Sequence, residues 1–288
     1  MQDTSQFLNS LKQHDKLTIR VSSNSFGQLP KEVVEAFRKP HRKTHYFFLL
    51  VVKGHTRHIV DLQQIDVRDS QLLFLQPYQI HQLPDNKFES EYFKLSLGQD
   101  CLSMLPRQFP FLINPLNVPV ICFQKEELKR VQMIFEILAQ LLQTGNAGTE
   151  LILAHLNSLL TEFDSAYFLH AGGENLTHDK LSKYMQFKLI VEKDLTDQPT
   201  IQAIADRLAI NTNSLYHTVK QYSGLSPKEY ITNRLILEAQ RRLYYEESSV
   251  KELAYDLGFN DPEYFSRLFR KVTGKNIPVF VSEIKGLA

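Results

Sequence analysis

Two polar runs stand at matching places in the last hundred residues of the chain. The first is Asn213, Ser214, Tyr216, His217, Lys220 and Gln221; the second is Glu263, Ser266, Arg267, Arg270 and Lys271. Each is interleaved with an apolar pair four residues apart, Leu215 with Val219 and Phe265 with Phe269. On a helix, that spacing buries the apolar pair and turns the polar residues outward. The chemistry of such a face is recognition. A guanidinium fork matches guanine edges or phosphate oxygens, and ammoniums, amides and hydroxyls serve phosphates and base edges. Arg267 is the expected base-edge reader. Glu263 beside it could accept from cytosine or repel unsuitable sites. Lys220, Arg270 and Lys271 are read as phosphate contacts, which position a protein without specifying sequence.

A second set of reactive side chains lies early in the chain, as histidines 41, 45, 55, 58 and 81. A metal centre would need two or three of them to converge with a carboxylate. His55 and His58 lie beside a turn, where they need not converge, and surface or strand-edge positions are the simpler reading. No metal or other cofactor is expected, and no catalytic residues. The chain has no nucleophile elbow, no Walker loop and no dinucleotide-binding glycine fingerprint.

The elements that must position the polar runs form an internal repeat. Ile201-Gln202-Ala203-Ile204-Ala205-Asp206-Arg207-Leu208-Ala209-Ile210-Asn211 precedes the first run; Val250-Lys251-Glu252-Leu253-Ala254-Tyr255-Asp256-Leu257-Gly258-Phe259-Asn260 precedes the second. Each reads as a helix-turn-helix. The first helix buries Ile201, Ile204 and Leu208, or Val250, Leu253 and Leu257, and a mid-helix alanine lets the second helix cross closely. Gly258 suits a turn of positive φ; Ala209 in the same place should cost stability. Asn211 and Asp261 are expected N-caps, and Pro262 suits a first helical turn. A joining helix over Pro227–Tyr245 opens at Ser226-Pro227-Lys228-Glu229 and buries Tyr230, Ile231, Leu235, Leu237, Ala239 and Leu243. At 1.5 Å per residue it is roughly 28 Å long, comparable with the ~34 Å between successive major grooves on one face of B-DNA.

These residues carry a resemblance. The second copy reads Leu253-Ala254-x-x-Leu257-Gly258-Phe259-x-Asp261-x-x-Tyr264-Phe265-Ser266-Arg267-x-Phe269-Arg270-Lys271-x-x-Gly274-x-x-x-Pro278-x-Phe280. With Arg234, Ala239 and Leu243 of the joining helix, it resembles the C-terminal domain of AraC/XylS-family transcription regulators. The resemblance implies a reader of duplex DNA with two helix-turn-helix units. Where the family often carries Arg in the first unit, this chain has His217, and neither His217 nor Tyr216 can make the bidentate guanine contact.

Ahead of this region, residues 1–124 read as β-rich. Short apolar segments at His45–Val52, Arg57–Asp61, Gln64–Val67, Gln71–Leu75 and Glu91–Leu97 alternate with turn signals, as in a sandwich or barrel. Through Pro40-His41-Arg42, Gly54, Ile59-Val60-Asp61 and Leu73-Phe74-Leu75-x-Pro77-x-x-x-His81, the segment is similar to the cupin-like sensor domain that precedes many members of the family. That likeness implies a small-molecule effector near the barrel mouth, with His41, Arg42, Tyr46, Tyr78 and His81 as candidate contacts.

Residues 125–170 have the three-four periodicity of a helical hairpin. It carries Leu128, Val131, Ile134, Phe135, Leu138, Leu141 and Leu142, then Leu151, Leu153, Ala154, Leu156, Leu159, Leu160 and Phe163. Such a hairpin packs on its own β-domain or forms a homodimer seam. Residues 171–177 read as a linker and 178–288 as the all-helical DNA-binding part. The expected class is therefore α+β multidomain: a cupin-like β-barrel with a helical hairpin, then an all-α domain with two helix-turn-helix units.

Composition agrees. The chain has 288 residues, 43% hydrophobic and 23% charged, with net charge +1. Residues 178–288 hold 16 basic and 14 acidic side chains, so positive charge must be concentrated locally to meet DNA. The longest apolar run, Tyr46–Val52, is too short to span a bilayer, and the first residues lack a secretory apolar core. Cys101 and Cys122 fit small core residues in a reducing compartment. A cytoplasmic regulator with duplex DNA and a small-molecule effector as partners is expected, without membrane association. A cupin-type metalloenzyme with a helical interaction module, and an effector-independent DNA binder, are the alternatives.

Overall fold

The computed structural model describes residues 12–30, 34–35, 38, 41–61, 63–77, 79–83, 90–107, 109–113, 119–144, 147–170, 178–245 and 249–286. The chain divides into two compact units, residues 1–112 with 118–173 and residues 113–117 with 174–288. The expected linker at 171–177 lies outside the described residues.

The first unit is built on two antiparallel sheets. Its strands are β1 (Ile19–Ser23), β2 (His41–Arg42), β3 (Tyr46–Lys53), β4 (Thr56–Val60), β5 (Gln63–Val67), β6 (Gln71–Leu75), β7 (Ile80–Gln82), β8 (Glu91–Leu97) and β9 (Val120–Cys122). One sheet has the order β1-β8-β3-β6-β9, the other β2-β7-β4-β5. Strands β1, β2, β7 and β9 go beyond the segments expected from sequence. They are short or carry polar residues, so they lack an apolar run. Asp61, expected to end a strand, is instead a turn residue at φ 47°. Its carboxylate accepts from the Ile80 amide at 3.0 Å and from the Gln79 side-chain amide at 2.8 Å, a use of Asp that its short polar side chain favours.

Both faces of the larger sheet are covered. On one face Phe47, Leu49, Val51, Leu73 and Leu75 pack against Val60 and Val67 of the second sheet. On the other lies the hairpin of α2 (Lys125–Thr144) and α3 (Thr149–His170), following a short α1 (Gln99–Ser103). Phe93 stacks on Phe135 of α2 with ring centroids 5.1 Å apart, and Phe48 meets Phe163 of α3 at 5.6 Å. Each buried Phe or Leu contributes about 1.5–3 kcal/mol by leaving water. The hairpin's apolar stripe thus serves its own β-unit. Leu151, expected on the buried side, is exposed. Cys101 is buried, whereas Cys122 is exposed on an edge strand and is not a core residue.

The second unit is helical: α4 (His178–Lys193), α5 (Ile201–Arg207), α6 (Thr212–Ser223), α7 (Pro227–Tyr245), α8 (Val250–Asp256), α9 (Pro262–Thr273) and α10 (Ile277–Gly286). Helix α7 has the expected bounds, and Ser226 and Glu229 form a reciprocal cap at its start. Its buried row differs in one place. Ile236 is fully buried while Leu237 is half-buried, because the stripe drifts with the 3.6-residue turn. Arg234 is also buried, and its guanidinium forks onto the Glu192 carboxylate of α4 at 2.7 and 2.9 Å. No helix among the described residues is long and apolar enough to cross a membrane.

The two turns between paired helices compare directly. Gly258 sits at φ 81° and Ala209 at φ 52°. The left-handed conformation is strained for alanine by about 1–2 kcal/mol, partly offset by the backbone entropy that glycine loses on folding. Ala209→Gly is expected to stabilise the protein by about 0.5–1 kcal/mol, read as a higher urea midpoint at unchanged slope. Gly258→Ala should destabilise by about 2 kcal/mol or more, since its Cβ would also overlap the Thr196 carbonyl oxygen.

Candidate nucleic-acid interface and sheet interior

Each polar run is held outward by the same construction. In α6, Leu215 and Val219 are fully buried; in α9, Phe265 and Phe269 are. Both helices pack on α7. Their short partners, α5 and α8, bury Ile204, Ala205 and Leu208, and Leu253, Ala254 and Leu257. Ile201 and Val250, expected inside, are half-buried, because each is the first residue of its helix and lies at the rim.

Caps fix where the outward helices begin. Asn211 accepts from the Ser214 amide at 2.7 Å, and Asp261 accepts from the Glu263 amide at 2.8 Å with Pro262 at the first position. Ser249 and Glu252 close a capping box on α8. Each cap satisfies amides that a helix start leaves without intrahelical partners.

The predicted face is largely open. Asn213, Ser214, Tyr216, His217, Lys220, Glu263, Arg267, Arg270 and Lys271 are exposed. Ser266 is half-buried, and its hydroxyl donates to the Pro262 carbonyl at 2.9 Å, which leaves only its lone pairs for a partner. Arg267 is two-thirds exposed and lies 3.7 Å from Asp261 and 3.9 Å from Glu263. At that exposure and distance such pairs are worth little, so the guanidinium can turn away at small cost. The first helix offers an aromatic and an imidazole, Tyr216 and His217, with ring centroids 5.9 Å apart.

Within the first unit, the expected effector contacts divide. His41 and His81 come together across the β2–β7 pairing, ring centroids 5.3 Å apart, and both are buried. Tyr46 alternates with Phe47, so it lies on the strand face of Phe48, away from His81. Tyr78 and the side chain of Arg42 lie outside the described residues.

Four of the five histidines are not surface residues, contrary to expectation. His41, His45, His58 and His81 are all buried, and only His55 is exposed. On β4, Thr56, His58 and Val60 share the inward face. Thr56 Oγ1 lies 3.1 Å from His58 Nε2, and His58 Nδ1 lies 2.8 Å from His81 Nε2. Lys43 is buried too, its ammonium 4.7 Å from the Phe47 ring centroid, and Lys94 lies 4.3 Å above Tyr92.

Burial dominates the ionisation of this layer. It lowers His45 and His58 to about 3, with the nearby lysines adding to it, and holds His81 well below its ordinary value. Burial, then repulsion from Lys94, brings Lys43 down to about 7; burial brings Lys94 to about 8. At neutral pH the imidazoles are therefore uncharged. Among the described residues, no group of three or more His, Cys, Asp or Glu side chains is placed to hold a metal ion.

Sequence reasoning missed His45, His58, Lys43 and Lys94 as members of one layer. Alternation along β4 pointed to His58. Lys94, between Phe93 and Leu95, carries no local signal of enclosure, because the second sheet that covers it is distant in sequence.

Comparison with known proteins concerns mainly the helical unit. Residues 204–280 match the family model of a helix-turn-helix domain. Over 81 residues the chain is 33% identical to the HTH-type transcriptional activator RhaS of Escherichia coli O157:H7, and equally to that of Escherichia coli strain K12 / DH10B. That alignment covers 28% of this chain and 29% of the relative, so the match spans under a third of those proteins. Among solved structures, ToxT from Vibrio cholerae O395 is similar at 14% identity and TM-score 0.42, covering 85% of this chain and 91% of that one. The C-terminal domain of the response regulator yesN from Fusobacterium nucleatum is similar at 23% identity and TM-score 0.32, covering 33% of this chain and 93% of that one. The repeated crossed helices, their caps and the matched residues agree: residues 204–280 of this chain form a helix-turn-helix domain.

Proposed function

We propose that the chain is a sequence-specific, duplex-DNA-binding regulator of transcription whose N-terminal sheet unit takes a small-molecule effector. The observation that carries this reading is the pair of exposed polar helix faces, α6 and α9, each anchored by a buried apolar pair on one helix, α7. Two such helices on one support suit successive major grooves of a duplex. RhaS is a transcriptional activator, and activation is the direction we assign here.

The two helices have different work. Arg267 reads a base edge, by a bidentate contact with guanine, while Glu263 disfavours neighbours that offer no donor. Lys220, Arg270 and Lys271 hold phosphates. Asn213, Ser214, Tyr216 and His217 give the first helix a looser, stacking and hydrogen-bonding contact.

Effector control requires unequal affinity for two states of the protein, since a ligand that binds both equally shifts nothing. We place the effector in the sheet unit near His41 and His81, and assign the protein to the cytoplasm. The α2–α3 hairpin, residues 125–170, is the segment through which we expect a homodimer, with its outward residues rather than its buried stripe supplying the contact. Two bound copies would then gain avidity on paired half-sites.

Selection of bound sequences from random duplexes, at fixed salt, tests the core of this reading; recovery of no preferred sequence overturns it. On the selected site, Arg267→Ala is expected to cost about 1–3 kcal/mol and to relax preference at one position. Equal loss on random DNA would reduce Arg267 to a phosphate contact. Lys220→Ala is expected to weaken binding to all sequences alike and to reduce the slope of log affinity against log salt by about one, measured by fluorescence anisotropy across a salt series.

A further inference from the structure

We propose that residues 194–198, between α4 and α5, brace the two helix-turn-helix modules against each other, and that Gln198 is the positioning residue that fixes the separation of α6 and α9. Under the DNA-reading assignment above, on which its use rests, that separation is the half-site spacing the chain accepts.

The argument begins with two equivalent carbonyls. Leu208 and Leu257 are the C-caps of α5 and α8, one residue ahead of Ala209 and Gly258. The last carbonyls of a helix lack intrahelical partners and take donors from elsewhere. The Leu208 carbonyl accepts from the Lys183 ammonium of α4 at 2.8 Å, and the Leu257 carbonyl accepts from the Gln198 side-chain amide, also at 2.8 Å. The two bonds are alike in form and differ in what they join. Helix α4 packs on α6, so Lys183 closes a contact inside the first module. Gln198 stands just ahead of α5 and reaches 59 residues along the chain, into the turn of the second module.

The second step is that the same short segment also grips the first module. Asp194 pairs with Arg207 of α5. Just beyond the segment, Thr200 caps α5 by accepting from the Ala203 amide at 3.1 Å. Residues 194–198 thus carry one polar tie to each of the two short helices.

The third step is the closeness of fit. A Cβ on Gly258 would stand 2.0 Å from the Thr196 carbonyl oxygen and 3.4 Å from Gln198 Nε2. The second turn therefore meets the brace backbone to backbone, and glycine serves that approach as well as the turn. Gln198 is held at φ 48°, a strained conformation for a residue with a side chain, and Pro199 after it locks the next φ. Strain of this kind persists only where the surroundings hold it.

Packing on α7 fixes the rotation of α9 about its own axis, but two crossed helices can still swing about their contact. A hydrogen bond from outside α7, at the turn that leads into α9, opposes that swing. Base contacts tolerate errors of only about 0.5 Å and 10–20°, so the brace acts on a quantity that recognition feels.

Spin labels at Gln221→Cys of α6 and Val272→Cys of α9, both exposed positions, with Cys122→Ser to remove the exposed native thiol, report the separation in the full chain without DNA by pulsed dipolar spectroscopy. One narrow distance distribution is expected. Gln198→Met, of similar length but without a donor, is expected to broaden it by about 3 Å or more, the displacement that a swing of about 10° gives across a 12-residue helix. Gln198→Glu, which keeps the shape and replaces the donor by an acceptor, is expected to behave alike. Lys183→Met removes the equivalent bond inside one module and is expected to lower Tm while the distribution stays narrow. On the selected duplex, inserting one base pair between the two contacted sites is expected to cost the native protein about ten-fold or more in affinity, and Gln198→Met about three-fold or less. Affinity for a duplex holding a single contacted site is expected to be the same for both. A distribution that stays narrow in both Gln198 variants, equal broadening by Lys183→Met, an unchanged spacing profile, or equal loss on the single-site duplex would each overturn the proposal. Broadened distances in a chain that selects no duplex would overturn the regulator reading and leave the brace standing.

Discussion

The arrangement of the helical unit depends on one constraint: α6 and α9 must both bury an apolar pair against α7. Leu215 with Val219, and Phe265 with Phe269, leave no surface exposed. A helix with two such anchors four residues apart has its rotation fixed, so its opposite face is fixed as well. The polar residues then project outward by necessity. The Arg234–Glu192 fork adds α4 to the same support. A guanidinium buried this deeply is tolerated because its charge is matched bidentately, and loss of either partner would leave the other uncompensated.

The two copies share a plan and differ in detail. The second has glycine at its left-handed turn, a full capping box before α8, proline at the first position of α9 and phenylalanines as anchors. The first places alanine in the same backbone conformation and uses smaller anchors, Leu215 and Val219. Each difference favours the second copy by a fraction of a kilocalorie to about two. The second copy also holds Arg267. The better-defined module thus coincides with the side chain best suited to read a base, and rigid support is what a bidentate contact demands.

The sheet unit faces the opposite problem. Its larger sheet is covered on both faces, by the α2–α3 hairpin outside and the smaller sheet inside. Residues that would be solvated in a one-sided sheet are therefore enclosed. Neutral histidines and lysines with lowered pKa values follow directly from desolvation. Such a layer is costly to bury in a protein that needs only to fold, and that cost is the physical motive for assigning it to ligand binding.

How much was legible in the sequence followed the range of the interactions. The repeat, its caps at Asn211 and Asp261, the bounds of α7 and the outward polar runs all rest on contacts within a few residues, and the spacing of residue types displays them. Small drifts, such as Ile236 replacing Leu237 in the buried row, mark the limit of a periodic reading. The short strands β2, β7 and β9 escaped it because two or three residues hold no period.

The sequence by itself determined the helical elements and which of their faces had to be buried. Tertiary structure alone decided that His41, His45, His58, His81, Lys43 and Lys94 share one enclosed layer. The physical reason is that a strand's alternation names two faces without saying which is wet. Pairing β2 with β7 and closing one sheet over the other answers that question, and those pairings join residues far apart in the chain.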